Sequence, residues 1–196
     1  MTELAPVLAA AGATDEAKAL GAAIERLEAE RAQAPQASRL LAACDAASQA
    51  GDFARAEGLA REALALAPDD PDLLFRRGHA LVQLGQPEAA EQSLRAALAQ
   101  REAQLVWRRG VGEPYQAELL LGILASGRGA FDEGIAHFTR ARDLDPYLTG
   151  AYRLLAATYE VMGRREQARR AVTAGLAIDP RSAPLHEIDR RLGGAP

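Results

Sequence analysis

The sequence is poor in the residues that most often carry chemistry or cross-links. Of its 196 residues one is cysteine, one tryptophan, two methionine and three histidine. The lone cysteine, Cys44, cannot form an internal disulfide, so the fold is expected to be independent of oxidation and the cytoplasm is the expected compartment. Lysine is nearly missing too. Lys18 is the sole one, and the remaining basic residues are arginine, a bias that the GC-rich genome of a bacterium would produce. The formal net charge of −4 argues against a general nucleic-acid binder. There is no run of about 18 apolar residues, so no membrane-spanning helix is expected. The first residues lack the basic start of a signal peptide, and Pro6 and Gly12 interrupt their apolar stretch.

The missing motifs point the same way. His79, His137 and His186 form no i, i+4 pair, and there is neither an HExxH nor a Cys/His cluster, so no metal is expected. Each histidine reads as a partly exposed helix residue. No Gly-x-Ser-x-Gly elbow occurs. Gly127-Arg128-Gly129 begins like a dinucleotide fingerprint, but Asp132 replaces the last glycine and a helical pattern precedes it where a strand is required. No cofactor and no catalytic constellation are expected, and the chain reads as a non-enzyme.

What is there is alanine, and a beat. Nearly half the residues are hydrophobic, alanine is the commonest and β-branched residues are sparse, which favours an all-α fold. Gly51 and Gly85 lie 34 residues apart, as do Gly129 and Gly163, and Pro146 and Pro180. A period of this length marks stacked units, each too small to bury its own apolar face. Each unit reads as two helices with a glycine turn between them and an acidic-proline stop. The units run 37–70, 71–102, 115–148 and 149–181. Between Gly85 and Gly129 the spacing grows to 44, so an insertion occupies 103–114. The simplest account extends the second helix of unit two to about Arg108. Residues 1–36 form an irregular N-terminal helical segment, with a helix from Thr14 or Asp15 to about Gln33 and a short one over 3–11. Residues 182–196 form a C-terminal capping helix and tail. Cys44, Gly78, Gly122 and Ala156 share one slot in the four units, and all are small, as two closely approaching helices require.

Unit four reads Tyr152-x₂-Leu155-Ala156-x₂-Tyr159, then Ala168-x₃-Val172, then Pro180. Unit three gives Leu121-Gly122, Phe138 and Pro146, with Glu118 and Gly134 departing from the pattern. This resembles the tetratricopeptide repeat family, over roughly 37–180. The resemblance implies a right-handed α-solenoid of about four helix-turn-helix repeats, to which the 44-residue spacing adds an extended second-repeat helix and the ends add irregular terminal helices. It also implies a concave groove, lined by first helices, that binds a protein or peptide.

Carried over by phase, the groove residues include Leu41 and Asp45 from unit one and Phe75, Arg76 and His79 from unit two. Leu119 and Ile123 come from unit three, and Arg153 and Glu160 from unit four. One branch of the family clamps a C-terminal carboxylate with lysine, asparagine and arginine; here Leu41, Asp45 and Arg76 stand at matching places. The groove's apolar centre and charged edges suit an amphipathic helix or apolar peptide. Trp107, flanked by Arg108 and Arg109 in the insertion, reads either as a binding hot spot or as the filler of the gap that the insertion opens. Arg164, Arg165, Arg169 and Arg170 read as a solvated helix face. The favoured function is a non-enzymatic adaptor or assembly factor. A peptide or small-ligand sensor and a noncatalytic subunit of a partner enzyme are the alternatives, and self-association stays open.

Overall fold

In the computed structural model, residues 14–103 and 114–193 are described. Among them lie nine α-helices and no strand. α1 spans Thr14–Gln49, α2 Phe53–Leu66, α3 Pro71–Gln83, α4 Pro87–Ala103, α5 Pro114–Gly127, α6 Phe131–Leu144, α7 Thr149–Val161, α8 Arg165–Ile178 and α9 Ala183–Arg191. The end of α1 pairs with α2, α3 with α4, α5 with α6 and α7 with α8, giving four hairpins stacked in chain order, and α9 closes the last. The stack is the right-handed α-solenoid expected from the sequence.

The turn inside each hairpin follows from one residue type. Gly163 has φ +70° and Gly129 φ +84°, in the left-handed region where a Cβ is penalised. The chain then closes the helix end with two backbone bonds. Gly163 N donates to Glu160 O at 2.9 Å, and Arg164 N reaches back to Tyr159 O at 2.8 Å. The same pair recurs at Gly51, Gly85 and Gly129. The start of α3 is fixed by Asp70, whose Oδ1 accepts from Asp72 N at 2.9 Å and Leu73 N at 3.1 Å, with Pro71 next in the first turn.

The small-residue slot is where first and second helices touch. Cys44 and Ala156 are fully buried. A Cβ on Gly78 would stand 2.7 Å from Leu94 Cγ, and one on Gly122 2.4 Å from Phe138 Cε1. Each apolar cluster spans a boundary between units. Cys44, Ala47, Ala56, Ala60 and Ala80 join units one and two. Phe75, Leu94, Ala97, Ala117 and Leu121 join two and three. Phe138, Leu155, Ala156, Val172, Leu185 and Ile188 join three, four and α9. No hairpin shields its own core, so neighbours share one.

The N-terminal boundary differs from expectation. The helix expected to stop near Gln33 continues through Pro35 as one 36-residue helix, about 54 Å long at 1.5 Å per residue. Pro35 is exposed and removes one backbone hydrogen bond, but its alanine- and glutamine-rich surroundings favour helix. Ala37, Cys44 and Ala47 are the buried residues of α1 among those described. α4 is longer than the 14-residue second helices α2, α6 and α8, with 17 residues to Ala103. The expected extension to Arg108, the 3–11 helix and the Trp107, Arg108, Arg109 cluster lie outside the described residues.

α9 covers the end of the stack. Leu185, Ile188 and Leu192 face inward and are buried. Arg191 adds a two-pronged bond to Glu160, Nε to Oε1 at 2.9 Å and Nη2 to Oε2 at 2.8 Å.

Candidate functional site

First helices touch across units: α1 meets α3, α3 meets α5, and α7 meets α9. No comparable contact joins second helices among the described residues, so first helices lie on the inner side of the curve. α5 and α7 approach less closely, and residues of both line the crevice described below.

The repeat phase makes the junctions comparable. Asp45, His79 and Ile123 are equivalent, spaced by 34 and then 44 residues. Arg76, Leu120 and Leu154 are equivalent, spaced by 44 and then 34. At the first junction this position holds an ion pair. Arg76 Nε donates to Asp45 Oδ1, and Arg76 Nη2 donates to Asp45 Oδ2 at 3.2 Å. Only 6% of the Arg76 side chain is exposed, against 31% of Asp45. The guanidinium also lies 5.8 Å from the centre of the Phe75 ring.

His79 completes this polar end. Its ring stacks on Phe75 at 6.4 Å and meets Phe53 edge-on at 6.0 Å. Burial, and secondly the Arg76 charge, push its pKa below the usual 6.5. The folded chain therefore resists protonation more than the unfolded one. Stability is full above pH 6.5 and falls as pH drops through and below it, because the unfolded state then binds more protons. In urea titrations across pH 7.5 to 5, the wild type should lose stability relative to His79→Gln. Parallel pH curves for the two would contradict this.

At the third junction the same position is apolar. Ile123 and Leu154 line a crevice of about 210 Å³ together with Phe131, Phe138, Ala157, Val161, Ser126 and Thr158. Ile123 is 42% exposed and Val161 68%, two of the large apolar side chains that stay in solvent. The polar lining is two hydroxyls: that of Thr158 donates to Leu154 O at 2.8 Å, and that of Ser126 is buried without a hydrogen-bond partner. With no ionisable group in its wall, the crevice can accept apolar side chains and offers nothing for acid–base chemistry.

Several expected groove residues sit elsewhere. Phe75 is 7% exposed and Arg76 5%, which withdraws both from a partner's reach. The physical reason is space. Ala97 and Ala117 leave room between units two and three, and the Phe75 ring fills it, gaining about 2 kcal/mol that exposure would forfeit. Leu119 packs against the core of units three and four. Leu41 and Asp45 are half-buried. Glu160 is bound by Arg191, which holds its carboxyl below the usual carboxylate value. Arg153 and Ile123 are exposed.

His137 is also corrected, since it is buried rather than partly exposed. Its Nδ1 lies 2.6 Å from Glu118 Oε2, and Arg140 approaches both. This pair ties α5 to α6 inside unit three. The signal for it lay in Glu118, which stands 34 residues before Tyr152 where the repeat pattern expects an aromatic. Among the described residues no group of three or more His, Cys, Asp or Glu could hold a metal, and no helix is long and apolar enough to cross a membrane.

The family profile described as tetratricopeptide repeat matches residues 47–108 and 125–190. The chain belongs to the tetratricopeptide repeat family. No curated protein sequence matches it. Among solved structures it resembles a chain of the APC/C hetero-tetramer Cut9–Hcn1 at 18% identity and TM-score 0.71, covering 96% of this chain and 35% of that one. It resembles PilW, described as a widely conserved type IV pilus biogenesis factor, at 21% identity and TM-score 0.69, covering 99% and 85%. YrrB, described as a TPR protein with an unusual peptide-binding site, aligns at 20% identity and TM-score 0.65, covering 95% and 88%. These likenesses establish the fold.

Proposed function

We propose that the protein is a non-enzymatic interaction module, an adaptor or assembly factor, that takes an apolar or amphipathic peptide segment into the crevice between α5 and α7. The observation that carries this reading is the junction comparison. Where the first junction closes its inner face with the Asp45–Arg76 pair, the third leaves Ile123 and Leu154 lining an open hollow with Val161 in solvent beside it. Exposed apolar side chains at a concave site cost solvation until something covers them. YrrB's description as peptide-binding is consistent with a protein ligand for this fold. The cytoplasm of a bacterium is the compartment we assign with it.

A photo-crosslinker tests the reading. Benzoylphenylalanine replacing Val161 in cells should give a discrete adduct with another protein. The same group replacing Arg170, exposed on α8, should not. Equal labelling from both positions, or none from Val161, would remove the crevice as the docking site.

A further inference from the structure

The crevice has a neighbour that says what its occupant carries. Arg153 precedes Ala157 by four residues on α7, so it stands one turn, about 5.4 Å, from the Ala157 edge of the crevice wall. It is exposed, and no carboxylate meets it among the described residues. Several other guanidiniums around units three and four are engaged, while Arg165 and Arg170 stand exposed on α8, which contributes no residue to the crevice wall. Arg128 bonds Glu91 and Glu133, Arg164 pairs with Asp132 at 3.0 Å, and Arg191 binds Glu160. Arg153 also breaks the repeat. Its equivalents, at spacings of 34, 44 and 34, are Leu41, Phe75 and Leu119, all apolar. Unit four thus puts a free cation where the other units are apolar, and the third junction puts apolar residues where the first is charged.

We propose, resting on the crevice reading above, that the occupant is an acidic amphipathic segment of another protein. An apolar side chain fills the crevice, and an Asp or Glu side chain three or four helical positions away meets Arg153. The spacing follows from the one-turn offset, since those positions lie on one face of a helical ligand. The chain's net charge of −4 does not attract acids in general, so the preference is local to this arginine.

The test is selection of random 16-residue peptides, displayed with their C-termini fused, on the full chain and on Arg153→Glu. Both residues changed in the test are exposed, and circular dichroism with urea midpoints checks that each variant folds as the wild type does. On the wild type, selected peptides should pair an apolar residue with Asp or Glu at i±3 or i±4. On Arg153→Glu the paired charge should switch to Lys or Arg. Wild-type-selected peptides should lose about tenfold in affinity by fluorescence polarisation. Val161→Glu should abolish binding on either background. An acid preference that survives Arg153→Glu, or binding confined to peptides with a free C-terminus, overturns the inference while the crevice reading stands. Peptides that lack an apolar residue, or that ignore Val161→Glu, overturn both. A dimer in sedimentation velocity that Val161→Glu dissociates would make the occupant a second copy, which also overturns it.

Discussion

Gly122→Ala should destabilise the chain by about 2 kcal/mol, while the chemically identical Gly58→Ala should stabilise it by about 0.5–1 kcal/mol. Both glycines lie inside helices, Gly122 in α5 and Gly58 in α2, so both substitutions gain the same helix propensity. They differ in what the new methyl meets. A Cβ on Gly58 finds nothing within 4 Å, whereas one on Gly122 lies 2.4, 2.6 and 3.0 Å from three atoms of the Phe138 ring edge. That ring is rigid and 1% exposed, so it cannot swing away as a flexible chain end would. The helices must part, and α5–α6 is the hairpin whose α6 also floors the crevice. Urea midpoints measure the sign of each change. Hydrogen exchange should place the lost protection in residues 114–144, and because units are stabilised by their neighbours, some loss should spread to α7. If Gly122→Ala proves as stable as Gly58→Ala, the close approach that defines the repeat slot is wrong.

The repeat was legible because its markers are properties of single residues. A turn that needs positive φ selects glycine at Gly51, Gly85, Gly129 and Gly163, and a close approach selects a small residue at Cys44, Gly78, Gly122 and Ala156. Each repeats in phase and needs no partner to be read. The inner face was less legible, because burial there depends on residues distant in sequence. Phase alone puts Phe75 beside the groove; whether its ring turns into the core depends on Ala97 and Ala117, from two other helices. The Asp45–Arg76 and Glu118–His137 pairs join residues 31 and 19 positions apart, with no local pattern to announce them. Glu118 did depart from the repeat, and there a polar pair with His137 replaces packing. α1 runs past its expected end near Gln33 and through Pro35, since at this exposed site the proline's cost yields to helix-favouring surroundings.

Replacing Asp45 alone by alanine should cost about 2–3 kcal/mol, while the double change Asp45→Ile with Arg76→Leu should restore stability to within about 1 kcal/mol of wild type. The first effect is large because Arg76 keeps its charge in a place where 6% of its side chain meets water. Its attraction to Asp45 offsets that desolvation, and losing the partner leaves the cost behind. Exposure of 31% on Asp45 lets solvent compensate in part, which sets the figure below the largest known for buried pairs. The apolar core at this junction cannot absorb the loss easily, since it consists of Cys44 and four alanines with little surface to bury. The double change installs the residues that the third junction carries at the same position, Ile123 and Leu154, and so trades an ion pair for an apolar contact that the fold already accommodates. A double-mutant cycle read by urea midpoints should therefore be strongly non-additive. The double variant should also bind an apolar dye such as ANS more than wild type, because an apolar position now faces the inner surface at both junctions. Additive losses would mean that Asp45 and Arg76 are held by the fold independently, and that what sets the two ends of the inner face apart is not the residue pair at this position.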